Sequence, residues 1–130
     1  MSKYEDYISQ LLTKSSIRFF REYTFPKCYN GLYRFDFYCP NLNACIEFNG
    51  AQHYTYTPHF HKSKSDFSKA QERDRRKISY CLAQGIKLYI IPYWEVENIY
   101  TARDLFQPQY LARSKFHNDE VYRSQKSKEK

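Results

Sequence analysis

Asp36 and Glu47 stand eleven positions apart, each in the middle of a short apolar segment. The segments 32–39 (LYRFDFYC) and 44–49 (ACIEFN) are rich in aromatic and β-branched residues, which predicts two strands joined by Pro40-Asn41-Leu42-Asn43. Pairing Cys39 with Ala44 across that loop sets Asp36 directly opposite Glu47 and Arg34 opposite Asn49. In this register Tyr33, Phe35, Phe37 and Cys39 share one face and meet Ala44, Ile46 and Phe48, whereas a slip by one residue would mismatch the faces. Like charges placed directly across a sheet, with Cβ atoms roughly 4.5–5.5 Å apart, destabilise it. Two arrangements would offset the repulsion. A divalent cation held by both carboxylates, with the Phe48 carbonyl and waters completing an oxygen shell, is one; neutralisation of one carboxylate by Arg34 on a solvated sheet face is the other.

Further reactive groups follow in the chain. His53 lies six residues beyond Glu47 and offers a general base or acid near neutral pH. Residues 66–84 read as a helix with Phe67, Ala70, Ile78 and Cys81 on one stripe and Asp74 within it. An acid on an inward stripe needs a partner. Lys77 flanks the same stripe, either as half of an ion pair anchoring helix to sheet or as a participant in catalysis. Arg73, Arg75 and Arg76 point outward and, with Lys62, Lys64 and Lys69, suit phosphate contacts. In the loop YTYTPHFHKSK, Tyr54, Tyr56 and Phe60 could stack on bases or wedge between them, or simply pack the loop on itself. The spacing of His53, His59 and His61, with or without Cys45, matches no closed zinc module.

These groups require a scaffold. The sequence predicts a helix capped by Ser2 and running to about Lys14, a strand over 17–25, a turn over 26–31, the two strands above, and a polar stretch over 50–65. The helix over 66–84 then ends at Gly85 as C-cap. Residues 86–91 (IKLYII) suit a central strand buried on both faces. One or two short helices are expected over 93–112, and a polar, mobile tail from Arg113. The order α-β-β-β-α-β predicts an α/β fold, a mixed sheet flanked by helices, with a single domain over 1–112 and a basic tail over 113–130.

Composition narrows the class. The chain has 130 residues, 42% of them hydrophobic and 19% aromatic, which suits one domain with a real core. The 3 glycines and 5 prolines exclude collagen-like and low-complexity chains. Absence of a long apolar run or a leader predicts a soluble cytoplasmic protein with no membrane partner, and Cys28, Cys39, Cys45 and Cys81 read as reduced core residues. The net charge of +7 gathers in 62–77 and 113–130, which predicts either a polyanion partner or a solvated helix face and tail.

Asp36 followed by Glu47-Phe48-Asn49 resembles the D…E-x-K core of the PD-(D/E)XK, restriction-endonuclease-like nuclease superfamily. FDFY at 35–38, IEFNGAQHY at 46–54 and ERDRRKISYCLAQGIKLYIIPYWE at 72–95 are similar to small phage and bacterial endonucleases related to very-short-patch repair and EDxHD homing enzymes. The resemblance covers about residues 4–95. It implies a restriction-endonuclease-like αβββαβ core and an Mg²⁺- or Mn²⁺-dependent endodeoxyribonuclease, plausibly phage-encoded and working in the host cytoplasm. Asp36 and Glu47 would hold the metal with the Phe48 carbonyl, and Glu5 would add a ligand or position a water. Gln52 and His53 would face the scissile phosphate, Asp74 would support them, and Lys77 would complete a D-x-x-K pair. Asn49 stands where the motif has lysine, so its charge must come from His53, Lys77 or a second metal. In-line attack by an activated water would leave 5′-phosphate and 3′-hydroxyl ends on double-stranded or branched DNA. Holliday-junction resolution would call for a homodimer, and nicking of linear DNA is the competing task. The alternative function is a catalytically inactive nucleic-acid-binding protein that keeps the fold.

Overall fold

The computed structural model describes residues 3–129; the predicted Ser2 cap lies outside them. Helix α1 (Lys3–Lys14) is amphipathic and buries Ile8, Leu11 and Leu12. Strands β1 (Phe20–Thr24), β2 (Arg34–Cys39), β3 (Ala44–Asn49) and β4 (Lys87–Pro92) form one sheet in the order β1-β2-β3-β4. The first three are antiparallel neighbours and β4 runs parallel to β3. A parallel pair needs a crossover, which α2 (Lys64–Gln84) provides; Ser63 caps it by accepting from the Asp66 N–H. The chain is thus a mixed α/β protein, a four-stranded mixed sheet flanked by helices.

The sheet separates two cores. On the α1 side Leu11, Leu12, Phe37, Cys39, Ile46 and Ile91 pack with Leu105 from the short helix α3 (Ala102–Leu105). On the α2 side Phe35, Cys45, Ile78, Cys81, Leu88 and Ile90 pack together. All four cysteines are free and buried. Gly85 closes α2 with a left-handed backbone (φ +70), and a Cβ there would meet open space. Gly85→Ala is therefore expected to cost about 1 kcal/mol from backbone strain alone, measurable as a drop in the denaturation midpoint at unchanged m-value.

Three expectations need correction. Phe35 does not share a face with Phe37 and Cys39: it joins the α2-side core with Tyr33, and they join the other. The faces exchange at Asp36, beside the point where Glu22 of β1 adopts a left-handed backbone (φ 50) between the Arg21↔Phe37 and Tyr23↔Phe35 pairs. Strand β4 is not central: it forms one side of the sheet, and its outer flank is covered by a Tyr89↔Leu111 bridge and an Ala112 N–H to Leu88 carbonyl bond. The C-terminal stretch is not a structureless tail either. It contains α4 (His117–Lys128), which buries Asn118 and is tied to α2 by Arg75–Asp119 at 3.0 Å. Asp119 and Glu120 in its first turn and Lys126 and Lys128 in its last match the helix dipole.

Candidate functional site

The predicted β2–β3 register is present, with Cys39↔Ala44, Tyr38↔Cys45 and Phe37↔Ile46 paired. Carried one residue further it sets Asp36 against Glu47, and there side chains replace the ladder. The Asp36 N–H donates to Glu47 Oε1 at 3.3 Å, and the Phe48 N–H donates to Asp36 Oδ2 at 2.8 Å. Both carboxylates are held by backbone as well as by their own strands.

Burial, and after it the facing Glu47, push the Asp36 pKa up to about 8. Glu5, on α1, adds to the shift, while the Phe48 N–H and Lys77 oppose it. Glu47 is 7% exposed and meets a counter-charge from α2: Lys77 Nζ lies 2.7 Å from its Oε1 and also donates to the Arg34 carbonyl at 2.6 Å. Burial works against the Lys77 charge, but Glu47, Asp74 and Asp36 together keep its pKa above the ordinary lysine value. Arg34 does not neutralise the carboxylates; its guanidinium is largely exposed and pairs with Glu22 at 3.7 Å.

Asn49 is buried beside the Tyr54 hydroxyl and pairs with Pro92 in the β3–β4 register. The cation of this site therefore comes from the helix and not from position 49. His53 and Gln52 sit in a 3-10 turn (Ala51–His53) directly after β3. His53 Nδ1 lies 2.9 Å from Asp74 Oδ2, so the inward acid of α2 has histidine as its partner. That contact assigns the proton to Nδ1 and leaves Nε2 as the basic nitrogen. Gln52 folds back over Gly50, where a Cβ would come within 2.5 Å of its Oε1.

An open groove of about 810 Å³ runs along α2. Its walls include Arg34, Gln52, His53, Lys62, Lys69, Arg73, Asp74 and Lys77. Asp36 and Glu47 do not line it; Lys77 lines it and reaches Glu47 behind. Of the cations expected to contact phosphate, Lys62, Lys69 and Arg73 are in the groove. Lys64 is at the start of α2, Arg75 pairs with Asp119, and Arg76 pairs with Glu72 and donates to the Tyr33 hydroxyl. Tyr54 is no stacking surface for a ligand, because it is buried with its ring against Trp94 and Tyr122. Tyr56 is half-buried and stacks on His61.

Sequence reasoning missed the contribution of α4. Asn118, Asp119, Tyr122, Arg123 and Lys126 form with Tyr54 a second hollow of about 370 Å³ that shares His53 with the groove. The acidic start and basic end of 117–128 were the available signal.

Among the described residues, no three of His, Cys, Asp and Glu come together as a metal-holding group. His61 Nδ1 accepts from the Thr57 N–H, and His53 is engaged with Asp74. The Asp36–Glu47 pair still fits a hard divalent cation. Mg²⁺ is commonly bound through one or two carboxylates with several retained waters, and its charge would offset the burial and the Glu47 repulsion that push the Asp36 carboxyl up to about 8. Asp36, Glu47 and the Phe48 carbonyl would hold it.

No family model matches the chain, and no solved structure does. Three relatives are viral proteins. Uncharacterized protein 307L of Invertebrate iridescent virus 6 is 41% identical over 76 residues, 58% of this chain and 34% of its own length. Uncharacterized protein 094L of Frog virus 3 (isolate Goorha) is 44% identical over 59 residues, 45% of this chain and 38% of its own. Uncharacterized protein 033L of Invertebrate iridescent virus 3 is 34% identical over 58 residues, 45% of this chain and 30% of its own. The chain spans about a third of the length of these curated relatives. No described helix is long and apolar enough to cross a membrane.

Proposed function

We propose that the chain is a divalent-metal-dependent endodeoxyribonuclease built on a restriction-endonuclease-like core. The observation that carries the reading is the cluster Asp36–Glu47–Lys77 behind a groove lined by Lys62, Lys69, Arg73 and His53. Two strand carboxylates and a helix lysine carry the charges expected of a D…E-x-K site, with Lys77 as the candidate for the charge that Asn49 lacks. The element order α1, β1–β3, α2, β4 agrees with the αβββαβ core that the motif resemblance implies.

The chemistry divides among named groups. A divalent cation, when bound by Asp36 and Glu47, supplies Lewis acidity toward a phosphoryl oxygen and toward water. The Lys77 ammonium, held on Glu47 at the back of the groove, adds positive charge that stabilises negative charge developing on the phosphate. His53, oriented by Asp74 through Nδ1, takes a proton from water or returns one to the leaving oxygen through Nε2. Lys62, Lys69 and Arg73 position the backbone without reading sequence.

DNA binding with Ca²⁺ or EDTA tests this against the binding-only alternative. The nuclease reading expects Ca²⁺ to tighten binding of a labelled duplex about tenfold for the native chain and not for Glu47→Gln. Equal affinity with Ca²⁺ and EDTA favours the inactive binding protein. Lys69→Ala with Arg73→Ala is expected to lower affinity for every DNA and to flatten its salt dependence by about two counterions; an unchanged slope would place the DNA elsewhere.

A further inference from the structure

Two large apolar side chains stand exposed on the lip of the basic groove. Leu32 is 69% exposed and Phe60 61% exposed, and both line the same hollow as Lys62, Lys69 and Arg73. A single exposed apolar residue calls for no explanation. These two differ because each is held outward by ordered local structure, a strained turn before Leu32 and a hydrogen-bonded loop around Phe60.

Leu32 follows Tyr29, Asn30 and Gly31, three successive residues in left-handed backbone (φ 49, 58 and 73). Left-handed conformations in the two non-glycine residues are strained. Gly31 and Leu32 close the turn by donating N–H groups to the Cys28 and Tyr29 carbonyls. The turn buries Cys28 and Tyr33 on either side and leaves Leu32 in the groove mouth.

Phe60 is presented in a similar way. The Thr57 carbonyl accepts from the N–H groups of both Phe60 and His61, and the Thr57 N–H donates to the buried His61 Nδ1. His61 also packs against Phe67 of α2, anchoring the loop from below. The Phe60 ring is braced edge-on by His59 at 4.9 Å. With the loop tied at His61, little conformational entropy remains to be lost when Phe60 meets a ligand.

A basic groove supplies affinity for any polynucleotide backbone, but apolar side chains on its lip favour exposed base faces over a continuous stack. We propose that Leu32 and Phe60 form an unstacking pair and that the groove selects DNA with exposed bases, single-stranded or branched, over continuous duplex. The proposal rests on the groove binding DNA, as in the nuclease reading, but not on cleavage. It assigns specificity to Leu32, which carries no polar group, and to Phe60 in place of the buried Tyr54.

The test is fluorescence anisotropy in EDTA, where no cutting occurs, with a labelled single strand, a four-way junction and a continuous duplex of matched sequence. The native chain is expected to bind the single strand and the junction at least tenfold more tightly than the duplex. Leu32→Ala with Phe60→Ala should remove that preference while duplex affinity stays within twofold, and Phe60→Trp should restore it beside native Leu32. Lys69→Ala with Arg73→Ala should weaken all three ligands alike. Equal affinity of the native chain for the three ligands, or a preference unchanged in the double variant, overturns the proposal. Failure to bind any of them overturns it together with the DNA-groove reading, whereas selective binding by a chain that never cuts would uphold it and remove only the nuclease reading. Both side chains are mostly solvent-exposed, so the variants retain the core, and circular dichroism confirms it.

Discussion

Asp36→Asn is expected to melt at a higher temperature than the native chain at pH 8 in EDTA and to cut no DNA. The carboxyl of Asp36, raised to about 8, keeps its proton in the folded chain over a range in which the unfolded chain has released it. The folded state therefore binds more protons than the unfolded one, and stability falls as pH rises from about 4 to about 8. The loss is on the order of a few kcal/mol. Asparagine keeps an oxygen to accept from the Phe48 N–H and removes the charge that burial and Glu47 oppose. Thermal denaturation across that range should show a declining midpoint for the native chain and a nearly flat one for Asp36→Asn. A flat native profile would mean that Asp36 titrates as an ordinary carboxyl and that the pair does not call for a cation. A site residue whose removal stabilises the fold is retained for what it binds.

Lys77→Met is the most damaging single change expected. The Lys77 side chain is 12% exposed and the Glu47 side chain 9%, and their 2.7 Å contact is the ion pair of Glu47 among the described residues. Removing one member of a buried pair leaves an uncompensated charge and costs about 3–5 kcal/mol. Glu47→Gln combined with Lys77→Met should recover much of that loss, because a neutral amide no longer needs the ammonium. A double-mutant cycle from urea denaturation measures the coupling, and additive effects would show that the contact does not hold helix to sheet. Because the lysine sits on α2 and the glutamate on β3, the pair also fixes the helix against the strand that carries the site.

Much of this arrangement could be read from residues in order. The opposition of Asp36 and Glu47 follows from strand period and loop length, both local properties, and the β2–β3 register agrees. Asp74 and Lys77 were marked by their place on a helical stripe, although the stripe alone could not say that Asp74 meets His53 and Lys77 meets Glu47. The exchange of faces between Phe35 and Phe37 was hidden because no glycine or proline in 34–39 marks a break in the strand period. Burial of Tyr54 depends on Tyr122, nearly seventy residues away on a helix that hydrophobic periodicity does not reveal. The lateral position of β4 was equally hidden, since Leu111 and Ala112 cover its flank and let the strand be as apolar as a central one.

Nicking of supercoiled plasmid in Mg²⁺, Mn²⁺ or EDTA, with Glu47→Gln purified in parallel, tests the central claim most directly. The account predicts open-circular product with metal for the native chain, and none in EDTA or from Glu47→Gln. Tight DNA binding with no nicking in either metal, or equal nicking by Glu47→Gln, would contradict it.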